Sequence, residues 1–479
     1  MAKPSRLPTQ EADFPGWYNA VVREAGMAEN GLARGSMIIK PYGYAIWEFI
    51  QRALDDRFKA TGHENVYFPL LFPVKLFEAE AAHVEGFAPE IAVVTHGGGQ
   101  KLEEPLAIRP TSEAIIWDTY SRWVQSYRDL PLLYNQWANV LRWEMRTRLF
   151  LRTSEFLWQE GHTAHASEPE AYEEALQMQE VYRQVIEDVC AMPVLIGRKS
   201  ASERFAGAVE TFTLEAMMRD TKALQAGTSH FLGQNFSKAY NVQFLNKEGV
   251  QEHAWGTSWG CSTRTVGGVI MTHGDDNGLR LPPEIAPVQV VIVPIYKSDE
   301  ESATVLERAG AVREALSSSG VRVKVDDRDH LRPGFKFSEW ELKGVPLRIE
   351  VGPRDVAADV LTIADRVTGE KTARSTAESI SAIPGLLADG GNALRADALA
   401  FREKNTRPFG SLDEMREGIA AEGGFWVGSW CGDEACEKTV TESTKATIRS
   451  LPLETEDPGA PCISCGKAGA EIATWGRSY

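Results

Sequence analysis

Four of the six cysteines lie close together near the C-terminus, as Cys431-x4-Cys436 and Cys462-x2-Cys465. No other feature restricts the fold as tightly. Two such pairs can deliver four thiolates to one tetrahedral zinc at about 2.3 Å per bond, so the chain must bring two separate segments to one point. Four independent thiols are the alternative. A four-thiolate centre has no open coordination position, so a zinc there is expected to be structural rather than catalytic. Cys190 and Cys261 stand alone and read as packed thiols.

At 479 residues the chain has room for about three domains of roughly 100–200 residues each. Its 43% hydrophobic and 25% charged content is ordinary for globular proteins and excludes wholesale disorder. No run approaches about 18 apolar residues, so no spanning helix is expected. Met1 to Glu11 is polar and lacks the apolar core of a secretory signal, from which a cytoplasmic location is expected. Lysine plus arginine number 51 against 67 acidic residues, a net charge of −16. Nucleic acid could therefore be held only at local basic patches.

Hydrophobic spacing places the elements. Ile46, Ile50, Leu54 and Phe58 repeat every four positions and mark one face of a helix over Tyr44 to Phe58. Asn65 to Leu71 reads as a strand interrupted by Pro69. Thr111 to Tyr127 reads as helix, and Leu141 to Glu144 and Phe156 to Glu160 read as two strands joined by an arginine-rich turn, Arg146 to Arg152. Ser167 and Pro169 start a long amphipathic helix reaching Val189, with its glutamates on a solvated face. After Pro287, apolar runs at Val288 to Ile295, Val321 to Asp326, Leu347 to Val351 and Val360 to Ala364 alternate with helix. That grammar predicts an α/β domain with a substantially parallel sheet. Ala396 to Ser411 reads as a polar connection.

Several polar constellations sit beside these apolar segments. Thr111 and Glu113 fall at a strand-to-helix junction, where side chains can enter a cleft. Arg142 and Glu144 would share a strand face, because strand side chains repeat every two residues. An arginine there can chelate carboxylate or phosphate oxygens in bidentate fashion. Gln225, Thr228, His230, Ser262 and Arg264 occupy similar settings. No Walker-type glycine loop occurs, so a nucleotide would have to be held by arginines.

Together these residues resemble the class II aminoacyl-tRNA synthetases, and within them the prolyl-tRNA synthetase family of the archaeal/eukaryotic-like type. Gly62-x3-Val66 with Pro69 resembles motif 1. Arg142-x-Glu144, the loop with Arg152 and Thr153, and Phe156-x-Trp158-x-Glu160 resemble motif 2. The run from Cys261 through Arg264 to Met271 resembles motif 3. Arg109 to Glu113, Trp158 to His165 and Gly227 to His230 resemble signatures of the proline enzymes.

The resemblance runs from about residue 14 to Tyr479. It implies a homodimer that couples L-proline and ATP into prolyl-adenylate and transfers the prolyl group to tRNA(Pro). It implies Arg142 and Arg264 as catalytic arginines and Thr111, Ser112, Glu113, Arg142 and His230 as the proline site. Arg142, Trp143, Glu144, Arg152, Thr153, Phe156, Gln225, Thr228, Ser262 and Arg264 are the implied ATP site, with Mg2+ accompanying the nucleotide. The interval from Glu160 to Cys261 is too short for the large editing insertion of bacterial-type relatives, so none is expected.

The expected architecture is an α+β catalytic domain at 1–285, with an antiparallel sheet flanked by helices. An α/β anticodon-binding domain at 286–395 and a small zinc-binding α/β domain at 396–479 follow. Phe337, Glu341, Arg348 and Arg354 are the implied anticodon contacts, Cys431, Cys436, Cys462 and Cys465 the zinc ligands. Gly476 to Tyr479 resembles the family's ending, in which the last tyrosine folds back toward the active site.

Overall fold

The computed structural model describes residues 7–78, 91–455 and 457–479. The polar N-terminus read over Met1 to Glu11 lies partly outside them. The first unit is built on a seven-stranded sheet of β1 (Glu64–Asn65), β2 (Leu132–Leu141), β3 (Glu155–His165), β4 (Val194–Arg198), β5 (Glu210–Met217), β6 (Ala223–Gly233) and β7 (Trp255–Ser262). The spatial order is β1-β2-β3-β7-β6-β5-β4, antiparallel throughout except for the two-residue edge β1.

Helices flank both faces of this sheet. α1 (Phe14–Glu24) starts at Asp13, whose carboxylate accepts from Gly16 N–H at 2.9 Å. In α2 (Pro41–Ala60) the four-residue stripe is buried as its spacing predicts, and Phe58 meets Trp259 at 4.8 Å between ring centroids. α3 (Glu113–Trp123) and α4 (Glu168–Gln184) follow the expected positions, with Pro169 in the first turn of α4. α5 (Arg264–His273) is buried along nearly its whole length.

Three local expectations are corrected. Glu174 on α4 is not solvated: it is buried, and its Oε1 lies 3.0 Å from His63 Nε2. Asn65 to Leu71 does not form one strand. Pro69 has no N–H for a ladder, so pairing stops after Asn65 and resumes at Leu71–Pro73. β2 ends at Leu141, and the bond from Arg142 N–H to Ser154 O (2.8 Å) is its last rung. Glu144 lies beyond, its Oε1 accepting from Arg146 N–H at 2.9 Å, so the two residues flank a turn instead of sharing a strand face.

The second sheet contains β8 (Val290–Pro294), β9 (Val323–Val325), β10 (Leu347–Val351), β11 (Val360–Asp365) and β12 (Lys371–Ser375), in the order β9-β8-β10-β11-β12. It is mixed: the first three strands are parallel, β11 runs antiparallel to β10 after a connection that contains the short helix Pro353–Ala358, and β12 runs antiparallel to β11. α6 (Asp299–Ser318) and α7 (Pro333–Leu342) pack against it. The expected polar connection from Ala396 is instead the end of a long helix, α8 (Thr376–Lys404). Leu387, Leu394 and Ala398 extend one buried stripe through that region, and Arg395 pairs across to Glu187 and Asp188.

The last sheet is β13 (Thr406–Pro408), β14 (Phe425–Trp430), β15 (Thr447–Ser450) and β16 (Glu471–Gly476), ordered β13-β14-β16-β15, with α9 (Glu434–Thr444) against it. Trp430, Val440, Ile448 and Trp475 form its core.

Candidate active site

The face of the first sheet away from α4 carries a cleft, and strand periodicity explains its lining. Trp158, Glu160 and His162 alternate along β3 and therefore share one face. Register sets Ser262 opposite Trp158, Gly260 opposite Glu160 and Ser258 opposite His162 on β7. One strand further, Thr228 and His230 of β6 face Gly260 and Ser258. A bulge at Ala226 in β6, opposite Leu214/Glu215 of β5, brings Gln225 to the same cavity. The opposite face is packed: Gln159 Oε1 accepts from Tyr182 O–H at 2.6 Å.

The cleft has two lobes. The larger, about 250 Å³, is lined among others by Thr111, Glu113, Glu160, His162, Phe205 and His230. The smaller, about 160 Å³, is lined by Glu144, Phe150, Leu151, Arg152 and Thr153. Arg142, Phe156, Ser262 and Arg264 border both. Arg142 Nε donates to Pro110 O at 3.0 Å, and its guanidinium lies 5.5 Å from the Phe156 ring centroid and 5.4 Å from that of Trp158.

Arg264 Nε donates to Leu151 O at 3.0 Å. Burial, then the neighbouring charges of Arg142 and Arg152, push its pKa down to about 10. Three arginines held this close favour a polyanion between them. Burial works against ionised Glu144, but bonds from Arg146 N–H and Arg152 (Nε at 2.5 Å) outweigh it and hold its carboxyl below the ordinary value. Phe150, at the tip of this arginine turn, adopts a left-handed backbone (φ 62°), a strained conformation for a bulky residue.

The larger lobe is acidic and aromatic. Glu113 accepts from Thr111 O–H, and Glu160 from Ser112 Oγ, from Gln136 Nε2 at 2.9 Å and from Ser112 N–H at 3.2 Å. His230 Nδ1 lies 2.9 Å from Thr211 Oγ1, and its ring stacks on Phe205 at 4.7 Å. Burial, then the charge of His162, lowers its pKa to about 3, so His230 is neutral. Arg109 stays out of the cleft: its guanidinium donates to Asn139 O (2.8 Å) and Phe68 O (2.7 Å), which fixes the turn that presents Thr111 and Glu113.

Most of the expected site residues thus converge. Ser112 sits behind the wall on Glu160, and Trp143 projects outward at 61% exposure. Phe205 and Thr211 line the larger lobe without having been anticipated. Phe205 lies in an irregular segment whose composition carries no periodic signal, and Thr211 lies near the start of β5. His162 falls within the signature Trp158 to His165, which assigns it no role of its own.

In the second unit, Glu341 and Arg348 border a separate cavity of about 360 Å³ that Asp275 and Asn277 also line. Phe337 lies beneath Arg348, 4.2 Å from guanidinium to ring centroid, and Arg354 is exposed on a different helix, Pro353–Ala358. In the third unit the sulfurs of Cys431, Cys436, Cys462 and Cys465 all lie within 4.8 Å of one another. Cys465 Sγ to Cys431 Sγ is 3.8 Å, close to the edge of about 3.8 Å that a tetrahedron with 2.3 Å Zn–S bonds requires. The donor set fits zinc. Tyr479 does fold back: its O–H donates to Asp220 at 2.5 Å and its ring lies 5.6 Å from the Arg148 guanidinium. No helix among the described residues is long and apolar enough to cross a membrane.

Residues 94–273 match the tRNA synthetase class II core domain (G, H, P, S and T), 289–386 an anticodon binding domain, and 412–479 the prolyl-tRNA synthetase C-terminal domain. The antiparallel sheet and its arginine-lined cleft, followed by these two units, define a class II aminoacyl-tRNA synthetase. The chain is 55% identical to the proline--tRNA ligase of Chlorobium phaeobacteroides, covering 98% of each, and 50% identical to that of Amoebophilus asiaticus, covering 99% of each. The crystal structure of prolyl-tRNA synthetase from Cryptosporidium parvum, complexed with halofuginone and AMPPNP, superposes with a TM-score of 0.95 at 39% identity over 99% of both chains. The chain therefore belongs to the prolyl-tRNA synthetase family, whose reaction is the ATP-driven ligation of proline to tRNA.

Proposed function

We propose that proline occupies the larger lobe and ATP the smaller, with Arg142 spanning them. One observation carries this reading: Arg142 borders both lobes, so a carboxylate in one and an α-phosphate in the other can meet over a single guanidinium. The proline carboxylate is already ionised at pH 7 and needs no general base. Alignment and charge neutralisation supply the acceleration. A carboxylate oxygen attacks the α-phosphorus, the bond to the bridging oxygen breaks, and pyrophosphate leaves. A ribose hydroxyl at the 3′ end of tRNA(Pro) then attacks the prolyl carbonyl and AMP departs.

Glu113 pairs with the charged imino nitrogen, Thr111 and His230 enclose the ring, and Ser112 acts through Glu160. Phe156 stacks on adenine, Glu144 accepts from its amino group, and Arg152 and Arg264 hold the β- and γ-phosphates. Ser262, on the border of the lobes, holds the rest of the nucleotide together with Gln225 and Thr228 where it reaches into the larger lobe, with Trp143 and Thr153 flanking the motif 2 loop. Mg2+ would supply further charge neutralisation. Because Arg152 engages Glu144, the ion would be held mainly through ATP oxygens. The four cysteines hold a structural zinc.

The second unit meets the anticodon through Phe337, Glu341, Arg348 and Arg354. The domains are taken as 1–285, 286–395 and 396–479, and the enzyme as a cytoplasmic homodimer. Exposed Tyr67, Leu71 and Trp123 support a covered face around motif 1. The archaeal/eukaryotic-like type without an editing insertion is supported by the interval between β3 and β7, which α4, β4, β5, β6 and a short hairpin at 243–253 take up. The test is ATP–pyrophosphate exchange with each of the twenty amino acids, without tRNA. Strong exchange with proline alone is expected; exchange driven by another amino acid would overturn the pocket assignment.

A further inference from the structure

One wall of the larger lobe is the segment 199–205 between β4 and β5, which places Phe205 on His230 and Glu203 and Arg204 at the cavity. It is tied to the catalytic unit by Lys199 N–H to Thr211 O at 2.8 Å, by Lys199 Nζ to Glu215 Oε1 at 2.7 Å and by Phe205 N–H to Thr211 Oγ1 at 3.1 Å, the same hydroxyl that meets His230 Nδ1. From outside, the segment rests on the C-terminal unit. Arg198 and Leu451 exchange two backbone hydrogen bonds of 2.9 Å, and a Cβ on Gly197 would lie 2.1 Å from Leu451 O, so only glycine admits that approach. Ser200 Oγ donates to Glu437 Oε1 at 2.7 Å in a buried contact. Lys199 Nζ donates to Arg449 O at 3.1 Å, and Glu203 Oε2 accepts from Thr447 O–H at 3.4 Å.

We infer that the C-terminal unit sets the closed position of this wall, and that Ser200 and Glu437 are positioning residues for amino-acid recognition, although neither reaches the cleft. The inference rests on the reading of the larger lobe as the proline site. Sheet and cleft fix His230 from within the catalytic unit, whereas Phe205 is held over it by a segment that Lys199 ties to Glu215 of β5 and whose other buried side-chain anchors, Ser200 to Glu437 and Lys199 to Arg449 O, reach α9 and β15. Loosening one anchor leaves the arginine lobe untouched and weakens only the closure over the amino acid. The four cysteines converge beside α9, and Glu437 is the neighbour of Cys436, so a zinc held there would bear on proline affinity through Glu437.

The experiment compares Ser200→Ala, Glu437→Gln and the double variant in ATP–pyrophosphate exchange, with zinc content and melting temperature measured on the same full-length samples. A rise in KM for proline of about five- to tenfold is expected in each, with kcat and KM for ATP within about twofold of the unsubstituted enzyme. The double variant should be no worse than either single one, because both act through one contact. Unchanged proline KM in both single variants, or proline and ATP KM rising together, would overturn the inference. If either fails to fold, Thr447→Val tests the same wall through Glu203. Should the unsubstituted enzyme exchange with a different amino acid, the proline reading alone falls, and the same KM split measured with that amino acid decides the role of the wall.

Discussion

Glu160 and His162, two residues apart on β3, point to the same face and bring Oε2 and Nε2 to 3.1 Å, each 2% exposed. Burial opposes the charged form of both. The hydrogen bond between them outweighs it only together with the charges of Glu113 and Glu160 on His162 and the bonds from Ser112 and Gln136 to Glu160, so His162 is raised above its usual value and Glu160 lowered. His162 therefore contributes stability that is fully present below about pH 6.5 and is lost as pH rises through its raised folded value. His162→Gln should cost about 3 kcal/mol, because a buried carboxylate loses its partner. Melting temperatures measured from pH 6 to 9 should show the gap to the unsubstituted protein narrowing as pH climbs.

Gly161 lies between these two residues and faces the other side, where a Cβ would fall 2.1 Å from the Trp259 indole. The glycine makes room for a ring that packs on Phe58 and Tyr182 beneath the cleft. Gly161→Ala should destabilise by about 1–3 kcal/mol through overpacking, read as a lowered denaturation midpoint.

Cys462→Ser removes one of four converging sulfurs. Bound zinc should fall from one per chain to well below half, with loss of the third unit's cooperative unfolding preceding loss of activity. Metal content and thermal melts check the order of events. Full zinc retention would show that the four thiols act independently.

Arg366 on the second unit donates two bonds, of 2.8 and 2.6 Å, to Asp275 just after α5, while its Nε donates to Glu341 O at 3.0 Å. The pair fixes the cavity bordered by Glu341 and Arg348 relative to the helix that starts at Arg264. Arg366→Ala should lower kcat/KM for tRNA in aminoacylation about tenfold, a loss of roughly 1.4 kcal/mol, while exchange with proline and ATP stays near normal. Parallel assays of the two reactions separate these effects.

Much of this organisation was legible because it rests on local pattern. The stripe Ile46 to Phe58 and the paired cysteines appear in the structure where their spacing places them. What escaped depended on contacts remote in sequence. Glu174 looks like a surface residue until His63, from a distant segment, is packed against it. The polar stretch after Ala396 reads as a linker because the buried stripe of Leu387, Leu394 and Ala398 is diluted by charged residues on the other face of α8. Arg142 and Glu144 were read as strand neighbours because β2 ends without proline or glycine; the bond from Arg146 N–H to Glu144 is what turns the chain. Phe205 carries no local signal, since it lies outside any strand or helix and the segment that bears it is anchored through Ser200 to Glu437, more than 200 positions later.

The account depends most on Arg142 joining the two lobes. Its most direct test is single-turnover formation of prolyl-adenylate by Arg142→Ala at saturating proline and ATP, with oligomeric state and zinc content checked on the same sample. A loss of about 10²–10³-fold or more, in a protein otherwise like the unsubstituted enzyme, is the predicted result. A rate within tenfold of the unsubstituted enzyme would contradict the account.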